Sequence, residues 1–157
     1  MDPATETCKK CKAEMHPEKL SGVTGSEGSV KVTIPKLPAL ACAQGHRRFV
    51  RPEFPLELLE RLSSKAEVPA GEPRGILFKS YHCGKCGEKL GAASPEPKTF
   101  GFNVGLKGIE AFRVELEVPV YACPSCGREQ VRSLDEVARS TPGAIARAFQ
   151  SAEIPPG

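Results

Sequence analysis

Two Cys-x-x-Cys pairs, each answered further along the chain by a second ligand pair, constrain this sequence more than any other feature. Cys8 and Cys11 are followed by Cys42 and His46, and Cys83 and Cys86 by Cys123 and Cys126. Together these sets use all seven cysteines and one of the three histidines. A Cys-x-x-Cys turn brings two thiolates to one point, and two facing turns complete a tetrahedral cage with no open position. The spacing therefore predicts two structural zinc ions, one held by Cys83, Cys86, Cys123 and Cys126, the other by Cys8, Cys11, Cys42 and His46.

The first set departs from the all-cysteine pattern because Cys42-Ala-Gln-Gly-His46 has three intervening residues and ends on an imidazole. Cys-x-x-x-His is a workable pair. His16 is the rival fourth ligand, but it follows Cys11 within the same turn and would have to fold back. His82, next to Cys83, reads as a bystander. A redox Cys-x-x-Cys stands once, at the start of a helix, whereas these pairs come in answered sets. Four cysteines alone also suit an iron–sulfur cluster, but His46 leaves only the second set fit for one.

Composition agrees with a metal-built interior. Of 157 residues only 6% are aromatic and none is Trp, too few for a large conventional core. Units below about 70–80 residues usually need a staple. An odd cysteine count argues against a closed disulfide framework, the N-terminus lacks the apolar run of a signal peptide, and no stretch approaches the roughly 20 apolar residues of a membrane span. These features predict a soluble, cytoplasmic, reduced protein. Setting seven thiolates against two divalent ions takes the formal charge of +3 to zero in the loaded protein.

The ligand sets belong to a repeat. Cys8-Lys-Lys-Cys-Lys-Ala-Glu-Met15 lies over Cys83-Gly-Lys-Cys-Gly-Glu-Lys-Leu90, both second pairs are entered through Pro-x-x-Ala-Cys, and Val50-Arg51 matches Val131-Arg132. Between ligand pairs, Ser29–Ile34 and Phe112–Val118 alternate apolar and polar residues, as half-buried strands do. Gly87 and Gly127 suit tight turns after their cysteines. Pro55–Leu62 predicts a helix with Pro in its first turn. Ser133-x-x-Glu136 predicts a capping box on a short helix, and Thr141-Pro142 the start of another reaching about Gln150. The fold class expected is a small, metal-stabilised α+β protein: a zinc-ribbon-like module over residues 1–65, a linker over 66–78, a second module with C-terminal helices over 79–152, and a tail over 153–157.

The second module, through Cys83-Gly-Lys-Cys-Gly87, Glu117-Val-Pro-Val-Tyr-Ala-Cys-Pro-Ser-Cys-Gly127 and the helix after them, resembles the YgiT-type (MqsA antitoxin N-terminal) zinc-finger domains. The resemblance covers residues 80 to about 150, and the first module matches more loosely because of His46. It implies a zinc ribbon whose metal is structural. Full-length antitoxins of that family carry a separate helix-turn-helix domain for DNA. Here Leu134–Ser140 and Thr141–Arg147 echo one only faintly, across too short a turn.

Full ligand sets and the lack of a nucleophile–base constellation predict a protein that is not an enzyme and takes no small-molecule substrate. The expected role is a regulatory or adaptor factor with a protein partner, antitoxin- or immunity-like in one version. The alternative is nucleic-acid binding. Lys9, Lys10 and Lys12, Arg47, Arg48 and Arg51, and Lys85 and Lys89 gather at the metal sites, and Phe49 could stack on a base. Two apolar stripes, Leu56, Leu58, Leu59 and Leu62, and Ile145, Ala148 and Phe149, read either as core or as docking faces.

Overall fold

A computed structural model of the chain describes residues 6–64, 68–75 and 80–154. Its elements run β1 (Glu6–Thr7), β2 (Glu14–Glu27), β3 (Val30–Cys42), β4 (Arg47–Arg48), α1 (Phe54–Ser64), β5 (Glu72–Arg74), β6 (Ser80–His82), β7 (Lys98–Leu106), β8 (Ile109–Val118), β9 (Tyr121–Ala122), β10 (Glu129–Gln130) and α2 (Leu134–Ser151). The protein is a small α+β protein with mostly antiparallel strands and two helices among the described residues.

The alternating sequences form β3 and β8, the second strands of two long hairpins, β2–β3 and β7–β8, closed by two-residue turns at Gly28-Ser29 and Lys107-Gly108. These hairpins join edge to edge. In the six-stranded sheet, ordered β1-β2-β3-β8-β7 with β4 on β3, Lys31, Val32 and Thr33 pair with Glu117, Leu116 and Glu115. The pairing stops short of Pro35, which has no N–H to offer a ladder. Alternation then assigns the faces: Val30, Val32 and Ile34 of β3, with Val114, Leu116 and Val118 of β8, are buried. Lys31, Thr33, Glu115 and Glu117 line a polar groove on the other side.

The helices cross over between the hairpins. α2, from the second half, lies across β2 and β3 of the first, and α1 contacts β7 of the second. Gly25 of β2 permits this closeness, since a Cβ there would run into the backbone of Ala144 and Ala148. Phe49, Phe54, Phe112 and Phe149 meet in one cluster with ring centroids 4.8–6.4 Å apart. They come from both halves, so four of the chain's nine aromatic residues meet in one shared core. Both apolar stripes serve that core. Leu58, Leu62, Ile145, Ala148 and Phe149 are buried and Leu59 packs against them, while Leu56 alone of the stripes is exposed, at 66%.

The sequence predicts two helices after the second metal pair; the structure has one. α2 runs through Pro142. Proline removes its own N–H and crowds the carbonyl four residues back. Thr141 Oγ meanwhile donates to the Val137 carbonyl at 2.6 Å, and the buried face of the helix continues on both sides of the proline. Nor does the capping box form: Ser133 sits at the N-cap without a side-chain cap bond. Glu136 turns instead to Arg132, at 2.8 Å, and accepts from the Tyr81 hydroxyl at 3.1 Å.

Within the expected linker, residues 68–74 are a packed strap. Val68 is buried, the Pro69 carbonyl accepts from Val131 N–H at 2.9 Å, Gly71 N–H donates to the Val131 carbonyl at 2.8 Å, and β5 pairs with β6. In the expected tail, Ile154 is buried and its N–H reaches the Phe149 carbonyl. Residues 65–67, 76–79 and 155–157, on which the rest of the linker and tail expectations fall, lie outside the described residues.

Candidate metal centres

Three of the four ligand turns are built alike. Cys8 N–H donates to the Ala13 carbonyl and Lys12 N–H to the Cys8 carbonyl; Cys83 pairs in the same way with Glu88 and Gly87, and Cys123 with Arg128 and Gly127. The residue after the second cysteine must adopt positive φ, 79° at Gly87 and 76° at Gly127. In the first turn Lys12 takes that place at 64°. The fourth turn is shorter. Cys42 N–H donates to the His46 carbonyl and Gly45 N–H to the Cys42 carbonyl, so the longer imidazole reaches the point that a thiol reaches elsewhere.

In the first half β2 and β3 adjoin the ligand turns, in the second the short strands β6, β9 and β10 do, and the eight side chains gather into two groups of four. Within each group the donor atoms lie within 4.8 Å of one another. Cys11 Sγ is 3.6 Å from Cys42 Sγ, and His46 Nδ1 is 3.4 Å from Cys8 Sγ and 3.5 Å from Cys42 Sγ. In the second group Cys83–Cys126 and Cys86–Cys123 are 3.7 and 3.4 Å apart. A disulfide would need about 2.05 Å, whereas the edge of a tetrahedron around a metal with bonds of about 2.0–2.3 Å is roughly 3.3–3.8 Å. All seven cysteines are free. The two groups suit two metal ions.

Protonation supports the same conclusion. The Cys11 main-chain amide, with help from Lys10, draws the Cys8 thiol down to about 6. The Gln130 amide, then the Cys86 main-chain amide, draws Cys83 down to about 5. Cys86 has the Glu88 amide to favour its thiolate, yet its contact with Cys123 pushes it up to about 12. Crowded sulfurs cannot all ionise together unless a cation replaces their protons.

Gln130 is the functional residue that sequence reasoning misses. It is fully buried, donates from Nε2 to Cys83 Sγ at 3.2 Å, and accepts at Oε1 from Gly84 N–H at 2.9 Å. Under the repeat it stands where Phe49 stands in the first copy, so no shared signal marks it. Lys85 N–H and Cys126 N–H also point at sulfurs, each at 3.4 Å. Of the other histidines, His16 is exposed on β2 opposite Ala41 and joins neither group. His82 lies outside the groups as well, but it is not idle. Its Nδ1 donates to the Gly87 carbonyl at 3.0 Å and its Nε2 lies 3.0 Å from Ser80 Oγ, which pins the ligand turn from behind.

The fold and the two clusters define a class: a small α+β protein with two Cys/His sites suited to metal ions. Among the described residues no helix is long and apolar enough to cross a membrane. Compared with protein-family models, curated proteins and solved structures, the chain matches none.

Proposed function

We propose that both ions are zinc and that the chain is a non-catalytic regulatory or adaptor factor whose metal-built surface recognises a protein partner. The observation that carries this reading is the closure of both donor sets. Four protein atoms converge on each point, whereas a catalytic zinc keeps one position for water or substrate. His46 speaks against an iron–sulfur cluster in the first group, and the shared turn geometry extends zinc to the second. Leu56 apart, both apolar stripes pack into the core, and the ligand turns supply the recognition surface of this reading. An antitoxin- or immunity-like role, masking a harmful partner, is the version that the YgiT-type resemblance suggests.

A nucleic-acid partner is the second reading, favoured by the cluster of Lys9, Lys10, Arg47 and Arg48 around one cleft. The test begins with elemental analysis of the purified, reduced protein, where two zinc ions per chain are expected. The loaded protein is then used to capture partners from its own cell extract. Association with one protein that survives nuclease supports the adaptor reading. Retention on nucleic acid that falls steeply with salt overturns it in favour of the second.

A further inference from the structure

The repeat places two corresponding seats in the molecule, and among the described residues another segment of the chain lies in only one of them. In the second half, the strap at Pro69–Gly71 lies in a seat formed by the first ligand turn and the segment after the last cysteine. Ala70 forms a parallel bridge with Val131, and its carbonyl packs against Gly84 so closely that no side chain fits there. Gly71 abuts Leu90 and the carbonyls of His82 and Arg132. Under the repeat, Gly84 corresponds to Lys9, Leu90 to Met15 and Gln130 to Phe49. Those three residues line a cleft of about 290 Å³ in the first half.

We infer that this cleft is the docking site for an acidic, extended segment of the partner protein, which seats one apolar side chain between flanking carboxylates. The inference rests on the adaptor reading above. Three observations select the occupant. The corresponding seat of the second half holds polypeptide in extended form, and Gly84 there admits a closer approach than Lys9 does here. The walls are apolar, from Met15, Phe49 and Pro52, while Lys9, Lys10 and Arg47 stand around them and no carboxylate lines the cleft among the described residues. Arg47 donates to the Ala152 carbonyl at 2.9 Å, a neutral partner that leaves its charge in place.

Phe49 weighs against a nucleobase. Its ring is committed to the core, stacked on Phe54 at 5.8 Å and edge-on to Phe149 at 4.8 Å, and only 8% of the residue is exposed. A stacking platform needs an open aromatic face. An apolar anchor needs only a concave apolar wall. Arg51, a further cation of the sequence cluster, is bound to Glu57 at 2.8 Å and to the Lys107 carbonyl at 2.7 Å, which turns it away from any phosphate.

The test uses the zinc-loaded full chain and a fluorescein-labelled peptide, Asp-Glu-Asp-Leu-Pro-Ala-Gly-Glu-Asp, which sets the strap's own Pro-Ala-Gly behind a leucine anchor and between acidic ends. Saturable binding is expected, weakening about tenfold or more when salt shortens the screening length from about 10 Å to about 3 Å. The paired substitution Lys9→Glu and Lys10→Glu should weaken it at least tenfold (about 1.4 kcal/mol) with zinc content and melting temperature retained, and Lys85→Glu in the second half should not. Replacing the leucine by asparagine, or the acids by their amides, should abolish it. Binding that ignores the charge reversal or the neutral peptide change overturns the cleft. So does absence of binding, or self-association of the protein that the charge reversal dissolves. If the captured partner still binds the charge-reversed variant, the cleft falls while the adaptor reading stands. If a single-stranded oligothymidylate binds in the peptide's place, both fall.

Discussion

The side-chain amide of Gln130 donates to the sulfur of Cys83 across 3.2 Å while its carbonyl holds the N–H of Gly84, so one buried residue ties two atoms of the ligand turn. Partners that orient metal ligands typically cost about 10–100-fold in affinity when removed. Gln130→Leu keeps the volume but strands the Gly84 N–H, a loss of about 1–3 kcal/mol. Chelator competition should show the second site weakened by that factor and the first unchanged. The acid dependence should move as well. Gln130 lowers the Cys83 proton affinity, so the thiolate persists as pH falls from the ordinary thiol range toward about 5. Without the amide, protons compete earlier, and metal release during acid titration should shift to higher pH.

Lys12 occupies, at φ 64°, the position that Gly87 and Gly127 hold in the matching turns. An L-residue in left-handed conformation costs roughly 1–2 kcal/mol, partly offset because glycine loses more freedom on folding. Lys12 is exposed. Lys12→Gly should therefore stabilise the zinc-loaded protein by about 0.5–1 kcal/mol, read as a melting-temperature rise of roughly 1–4 °C. Lys12→Val, with a branched Cβ, should lower it.

The ligand grouping is legible in the sequence because Cys-x-x-Cys spacing is a local signal, and so are β3 and β8, whose alternation has period two. What joins the halves is not local. Lys31 meets Glu117 across the sheet, yet neither strand's pattern distinguishes an edge left open from an edge that pairs. The course of α2 is hidden for another reason. Thr141-Pro142 is a sound start signal for a helix, but tertiary packing of Thr141, Ala144 and Ile145 onto the first hairpin overrides it. Gln130 escapes because a polar residue beside a ligand turn reads as surface until burial shows otherwise.

Gly25 is a sharp test of the crossover. A methyl group there meets the backbone of Ala144 and Ala148, which cannot swing away as a side chain could. Gly25→Ala should push α2 off β2 and cost about 1–3 kcal/mol, a drop of roughly 2–12 °C in melting temperature for a chain this size. Zinc content should stay at two, because no ligand is disturbed. Gly22→Ala would have open space around its methyl group. It separates the clash from the strain of positive φ, which Gly22 has at 61° and Gly25 does not.

Splitting the chain within residues 65–67 separates the two ligand sets cleanly but divides the core. Each half keeps four donors, yet the first loses α2 from the face of β2 and β3, and the second loses the strand that pairs with β8. Phe49 and Phe54 part from Phe112 and Phe149. Each half alone should bind one zinc ion and keep its ligand turn, since metal binding supplies local folding free energy. With its apolar face exposed, it should show fast amide exchange through its hairpin and bind a hydrophobic dye. Mixing the halves should restore slow exchange in β3 and β8 together, with one zinc per fragment. Full protection in either isolated half would mean that the shared sheet and the exchanged helices contribute little to holding this protein together.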